Sequence, residues 1–91
     1  MWAILEAKSV VKEVKRLPRE IQKAYEAWKN IILASGPQSL HKINGYWDHA
    51  LKGIWKGARA SSLSKQWRVI YVVQAEAVQV IVLRVSPHDY K

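Results

Sequence analysis

The sequence predicts a small α+β domain: a short N-terminal strand, then two helices packed on one face of a twisted antiparallel sheet. Three observations predict it. Apolar residues recur at spacings of three and four from Val10 to Ile32, which is the period of a helix. From Arg59 to Val85 the pattern changes to β-branched and aromatic runs separated by short polar breaks, which is the signature of strands. With 91 residues, 49% of them hydrophobic, the chain has length for one core and one domain, spanning 1–91.

Trp2 to Leu5 reads as an edge strand. Val10, Val11, Val14 and Leu17 then predict a helix of about two and a half turns. Proline disfavours helical geometry in the residue before it and suits the first turn of a helix, so Leu17-Pro18 is expected to be the corner between two helices. In the second helix Ile21, Ala24, Tyr25, Trp28, Ile31 and Ile32 form one apolar stripe, with Arg19, Glu20, Lys23, Glu26 and Lys29 around the rest of the wheel. The stripe reads as core packing rather than a docking face. Ser35-Gly36-Pro37 stops the helix.

From Gln38 to Gly57 no period persists, and Gly45, Gly53 and Gly57 fall among polar and aromatic residues, as expected of a loop with one helical turn. Loops of this length in small domains usually carry function. Three strands follow at Arg59 to Leu63, Trp67 to Val73 and Val78 to Val85, joined by hairpins. The last is apolar on both sides, so it belongs inside the sheet.

Composition narrows the function. The absence of cysteine removes disulfides, thiolate zinc sites and thiol nucleophiles, and fits a reducing compartment. Three scattered histidines, His41, His49 and His88, do not suggest a metal site, and no cofactor-binding motif is present. No apolar run reaches the roughly 20 residues of a membrane span, and the N-terminal segment is charged too early for a signal peptide, so a cytoplasmic protein is expected. Fifteen Lys and Arg against seven Asp and Glu leave a net charge of +8, which favours a polyanionic partner, nucleic acid or acidic protein.

Two constellations could carry chemistry. In the first, Lys52, Lys56, Arg59, Lys65 and Arg68 interleave with Trp47, Trp55, Trp67 and Tyr71, with Asp48 the only offsetting charge. Cations grip phosphates and flat rings stack on unpaired bases, so this is a pattern for RNA binding. The competing reading makes Trp55 and Trp67 core residues and the lysines a solvated face. Arg59 and Arg68 are expected on adjacent strands, converging on one concave surface to hold a phosphate, unless a carboxylate takes one of them. The second constellation is Pro87-His88-Asp89-Tyr90-Lys91, where His88 suits proton transfer near neutral pH; it also fits an ordinary solvated terminus. Two imidazoles and two arginines around a phosphate suffice for RNA cleavage by attack of the 2′-hydroxyl.

The order strand, two helices, three strands, with Asp48-His49-Ala50-Leu51-Lys52-Gly53, then Trp55-Lys56-Gly57-Ala58-Arg59, then Gln66-Trp67-Arg68-Val69-Ile70-Tyr71, resembles the RelE/ParE superfamily of type II toxin-antitoxin toxins. The likeness spans nearly the whole chain and is strongest to the YafQ-like and HigB-like branch. It implies a ribosome-dependent mRNA endoribonuclease, an mRNA interferase that inhibits translation without a metal or cofactor. Its partners would be the ribosome, mRNA and a cognate antitoxin, acidic or of helix-turn-helix type, through which alone it would meet operator DNA. Carried over by position, the resemblance implies catalytic roles for His49, Arg59, Arg68, His88 and Tyr90, and RNA contacts for Asp48, Lys52, Trp55, Lys56 and Lys65. The chain departs from the family pattern at Ala58 and at Ala60-Ser61-Ser62-Leu63. ParE-like members of the superfamily instead poison DNA gyrase, and a non-catalytic nucleic-acid-binding module is the third reading.

Overall fold

A computed structural model describes residues 1–87. In chain order it contains β1 (Ala3–Glu6), α1 (Lys8–Lys15), α2 (Arg19–Ser35), a 3-10 turn (Pro37–Lys42), β2 (His49–Ala50), a second 3-10 turn (Gly53–Trp55), β3 (Arg59–Ser62), β4 (Trp67–Gln74), a third turn (Ala75–Ala77) and β5 (Gln79–Pro87). The five strands form one sheet in the order β1-β5-β4-β3-β2. As its two-sided apolar sequence requires, β5 lies inside the sheet.

The pairs β2/β3, β3/β4 and β4/β5 are antiparallel, while β1 runs parallel to β5, with Ala3 opposite Gln79 and Glu6 opposite Val82. The sheet is therefore mixed at one edge. Hairpins force antiparallel pairing on the other strands, but no hairpin constrains β1. Its direction instead lets the chain pass at Ala7, whose N–H is bonded to the Val82 carbonyl at 3.1 Å, straight into α1 over β5.

The expected corner is present. Arg16 and Leu17 N–H close the end of α1 on Glu13 and Val14 carbonyls, and Pro18, with ψ 146°, starts α2. Gln22 Nε2 donates to the Val14 carbonyl at 3.0 Å, tying the two helices together. At the far end Gly36 has φ 83°, a left-handed value that frees the chain to turn, and its N–H bonds to the Ile32 carbonyl at 2.8 Å. A Cβ at Gly36 would stand 2.9 Å from Trp2 Nε1, so close packing also demands glycine there.

The helices and the inner sheet face share one core. Val10, Leu17, Ile21, Tyr25, Trp28 and Ile32 meet Val69, Tyr71, Val80, Val82 and Val85, with Leu40 of the first 3-10 turn among them. Tyr25 stacks on Trp28 at 5.8 Å, and Trp28 meets Tyr71 edge-on at 5.2 Å. The Tyr25 hydroxyl emerges at the edge and donates to Glu6 at 2.6 Å. None of the helices among the described residues is long and apolar enough to cross a membrane.

One irregularity shapes the outer face. Ile70 lies opposite Arg84 but Tyr71 lies opposite Val82, so Leu83 is an extra residue on β5. Strict alternation after Val80 and Val82 would have turned Arg84 into the core. The bulge changes the phase, placing Val85 in the core and Arg84 on the outer face.

Candidate nucleic-acid interface

Side chains two apart on a strand share a face, and residues opposite one another across a ladder share it too. Arg59 is opposite Tyr71 and Ser61 is opposite Val69, both core-facing, whereas Ser62 is opposite Arg68. Arg59 and Arg68 are thus on adjacent strands, as expected, but three register positions apart. That odd offset puts them on opposite faces of the sheet, which corrects the expectation that they converge on one surface.

Arg59 belongs to a buried cluster around Asp48. The Asp48 carboxylate is fully buried and accepts from Arg59 Nε at 2.7 Å, from Ser61 Oγ at 2.5 Å and from the Tyr71 hydroxyl; His41 Nε2 lies 3.3 Å away. The Asp48 carboxylate is thus turned onto protein donors rather than presented to solvent, a different setting from the surface contact expected of it. A buried carboxylate needs several partners, and this one draws them from three separate segments, β3, β4 and the first 3-10 turn. Burial lowers the affinity of the Arg59 guanidinium for its proton, but the hydrogen bond and charge of Asp48 outweigh it and hold its pKa above the ordinary value. Burial and the adjacent Asp48 likewise push the Tyr71 phenol well up, so it stays a neutral donor. Arg59 is the arginine that a carboxylate takes.

The outer face gathers a different set. Across the strands one row runs His49, Ala60, Ile70, Arg84, and the next runs Ser62, Arg68, Ser86. Between His49 on β2 and Arg68 on β4, β3 presents only Ala60 and Ser62. Two strand spacings, about 10 Å, separate the two backbones, leaving a trough floored by small side chains. Ser61, between the two floor residues, turns inward to Asp48. Arg68 Nε is buried without a hydrogen-bond partner, a costly state for a charged group unless a ligand supplies an acceptor. Arg84 is the diagonal neighbour of Arg68, and such positions lie about 7–8 Å apart, within reach of long side chains. Its guanidinium is half exposed and meets Glu13 of α1 at 3.3 Å, past the end of β1, where Glu13 also accepts the Val85 N–H at 3.2 Å.

His49 Nδ1 lies 2.7 Å from the Trp47 carbonyl. A carbonyl can only accept, so Nδ1 carries the proton in this contact. In the neutral ring Nε2 then holds the lone pair, the arrangement a general base needs.

Neither a family model nor a curated protein matches the sequence. Solved structures do. YafQ from E. coli strain BL21(DE3) superposes with a TM-score of 0.78 at 18% identity, over 97% of this chain and 94% of that one. The archaeal RelE–RelB complex from Pyrococcus horikoshii OT3 gives 0.77 at 19% identity, over 99% and 98% of the two chains. The YoeB–YefM complex from Staphylococcus aureus gives 0.74 at 13%, over 98% and 99%. This chain has the RelE/YafQ toxin fold.

Within that RelE-like frame the basic residues fall at both ends of β3. Lys52 and Lys56 are exposed on either side of the Gly53–Trp55 turn, and Trp55 is half-buried. Lys65 is exposed in the turn between β3 and β4, at the Arg68 end. Trp67 packs against the core, and Tyr25 and Trp28 are core residues as expected. His88 and Tyr90 lie outside the described residues. Among the described residues no group of three or more His, Asp or Glu side chains could hold a metal ion.

Reading the sequence missed Arg84, because its position after Val80 and Val82 suggests the core-facing phase of β5. The available signal was the break in alternation: apolar residues at 80 and 82 resume at 85. A one-residue phase slip in an apolar strand is the mark of a bulge.

Proposed function

We propose that this protein is the toxin of a type II toxin-antitoxin pair and acts as an endoribonuclease on mRNA in the ribosome, using its own side chains for acid–base catalysis. The observation that best supports this reading is Arg68: its Nε is buried without a partner, and the residue belongs to the same sheet face as Arg84 and His49. A phosphate bound in the trough would supply the acceptor that Arg68 lacks, and guanidinium suits that geometry. The fold shared with YafQ, RelE and YoeB, solved with DinJ, RelB and YefM respectively, supports a cognate antitoxin as partner.

His49, Arg68 and Arg84 on one sheet face support acid–base cleavage, with His88 added on its residue type alone. The 2′-hydroxyl attacks the adjacent phosphorus while His49 Nε2 takes its proton. Arg68 and Arg84 neutralise the charge that builds on the non-bridging oxygens, where such stabilisation is worth most. The bond from phosphorus to the 5′-oxygen breaks, and that oxygen takes a proton from His88, the remaining imidazole in the sequence suited to the task. The products are a 2′,3′-cyclic phosphate and a 5′-hydroxyl. Lys52, Lys56 and Lys65 attract the backbone on either side, and the +8 charge favours docking on ribosomal RNA.

Induced expression in bacterial cells tests the reading. Growth should stop with the wild type and continue with Arg68→Ala or His49→Ala at equal protein levels. Arrest by both variants would refute the trough assignment, and arrest with intact mRNA would turn attention to DNA gyrase.

A further inference from the structure

The segment before β2 carries features that cleavage does not use. Trp47 is 78% exposed and sits at φ 49°, a left-handed conformation that costs a non-glycine residue about 1 kcal/mol or more. Burial does not repay that cost, and Trp47 closes no hairpin, unlike Val78, which among the described residues also has positive φ and lies at the turn between β4 and β5. Beside Trp47 is a cleft of about 390 Å³, lined among others by His41, Ile43, Asn44 and Asp48. That volume lies within the roughly 300–1,000 Å³ of small-ligand sites.

We propose that this cleft holds one unstacked nucleobase of a single-stranded RNA, with the base lying against Trp47 and its edge read by Asn44; the inference rests on reading the protein as one that acts on RNA. An exposed flat ring is a stacking platform, and a primary amide offers the donor and acceptor pair that base edges match. Charge agrees. Between Pro37 and Gly57 the cations are Lys42, Lys52 and Lys56, and the one acid, Asp48, is buried on Arg59. The lining sets Leu40, Ile43 and Trp47 beside His41, Asn44 and Asp48, which suits a base with its flat face and polar edge better than an aliphatic protein segment. Trp47 also connects directly to the trough, since its carbonyl holds His49 Nδ1 at 2.7 Å. Two residues span at most about 7 Å, so the bound base belongs to a nucleotide adjoining the reacting phosphate.

The test is fluorescence anisotropy with a labelled octaribonucleotide carrying 2′-O-methyl riboses, which cannot be cleaved, and a set of the same RNA made abasic at each position in turn. Trp47→Ala should bind the intact RNA roughly 5- to 100-fold more weakly. For the RNA abasic at one particular position, wild type and Trp47→Ala should bind alike. Trp47→Phe keeps a flat face and should retain most of the affinity. The salt dependence should be unchanged, because no charge is removed. Equal affinity of wild type and Trp47→Ala for intact RNA would overturn the proposal, as would an equal loss on every abasic RNA. A Trp47→Ala defect confined to antitoxin binding would overturn it too, making this face a protein interface. Failure here is separable from failure of the nuclease reading: the first leaves cleavage intact with Trp47 irrelevant to binding, and the second leaves base-dependent binding intact with mRNA uncut.

Discussion

Replacing Asp48 with Asn changes one atom, yet the loss should be large. Oδ1 accepts Arg59 Nε and lies against His41 Nε2, while Oδ2 accepts Ser61 Oγ and the Tyr71 hydroxyl. An amide keeps one oxygen and turns the other into a donor. With the amide nitrogen toward Ser61 and Tyr71 both hydroxyls must turn from donors into acceptors, with it toward Arg59 a donor faces a donor, and in either orientation Arg59 loses its counter-charge. Breaking a buried, hydrogen-bonded pair by changing one partner costs about 3–5 kcal/mol; the Arg59 side chain is 28% exposed and can recover some hydration, so about 3 kcal/mol is the working figure. For a domain of this size 1 kcal/mol moves Tm by about 4–8 °C, so Asp48→Asn should lower it by roughly 12–24 °C. That is a large part of the roughly 5–14 kcal/mol expected for the whole domain. Thermal unfolding followed by circular dichroism reads the effect. Pairing Asp48→Asn with Tyr71→Phe should give a markedly non-additive loss, since both act on one cluster. A Tm within about 2 °C of wild type, together with weakened RNA binding, would refute the buried-cluster reasoning and return Asp48 to the RNA surface.

Arg68→Ala should lower mRNA cleavage by about 10²-fold or more while leaving Tm unchanged or higher, because it removes a buried donor that has no partner; Arg59→Ala should do the reverse, costing stability first. Tyr25 and Tyr71 are both held well above the ordinary phenol pKa by burial and then by Glu6 and Asp48. Their contribution is therefore complete below about pH 10 and lost as pH rises above it, where the unfolded chain releases protons that the folded chain keeps, with a slope of up to about 2.7 kcal/mol per pH unit. Absorbance at 295 nm should show these two phenols ionising only as the protein unfolds in alkali. Gly36→Ala places a Cβ 2.9 Å from Trp2 Nε1 on a residue with φ 83°, and should cost about 1–3 kcal/mol, read as a drop in Tm.

The elements that could be read directly are those whose own side chains carry a period. The stripe from Ile21 to Ile32 gives α2, and the β-branched runs give β4 and β5 nearly to the residue, whereas β3, Arg59-Ala60-Ser61-Ser62, has none and follows from its short polar turn to β4. Leu17-Pro18 marks the corner because proline acts on its immediate neighbour. What escaped depends on partners far away in sequence. Asp48 finds Arg59, Ser61 and Tyr71 at separations of 11, 13 and 23 residues, and a charge beside basic and aromatic neighbours looks like part of a surface until those contacts close on it. Arg59 was legible as a strand residue, but its face depends on the register against Tyr71, which no local pattern contains. Arg84 was hidden by the bulge at Leu83. The direction of β1 was open because no hairpin ties it to its neighbour. His49 and Arg68 do share the outer face of the sheet, but only once β2, a strand of two residues, is placed beside β3.

Cell-free translation with purified protein, with mRNA ends mapped by primer extension in the presence and absence of ribosomes, tests the central claim most directly. The expected result is a set of cuts on translated mRNA with the wild type, lost with Arg68→Ala, His49→Ala and His88→Ala. Uncut mRNA under translation with the wild-type protein would contradict it, as would cuts that persist in all three variants.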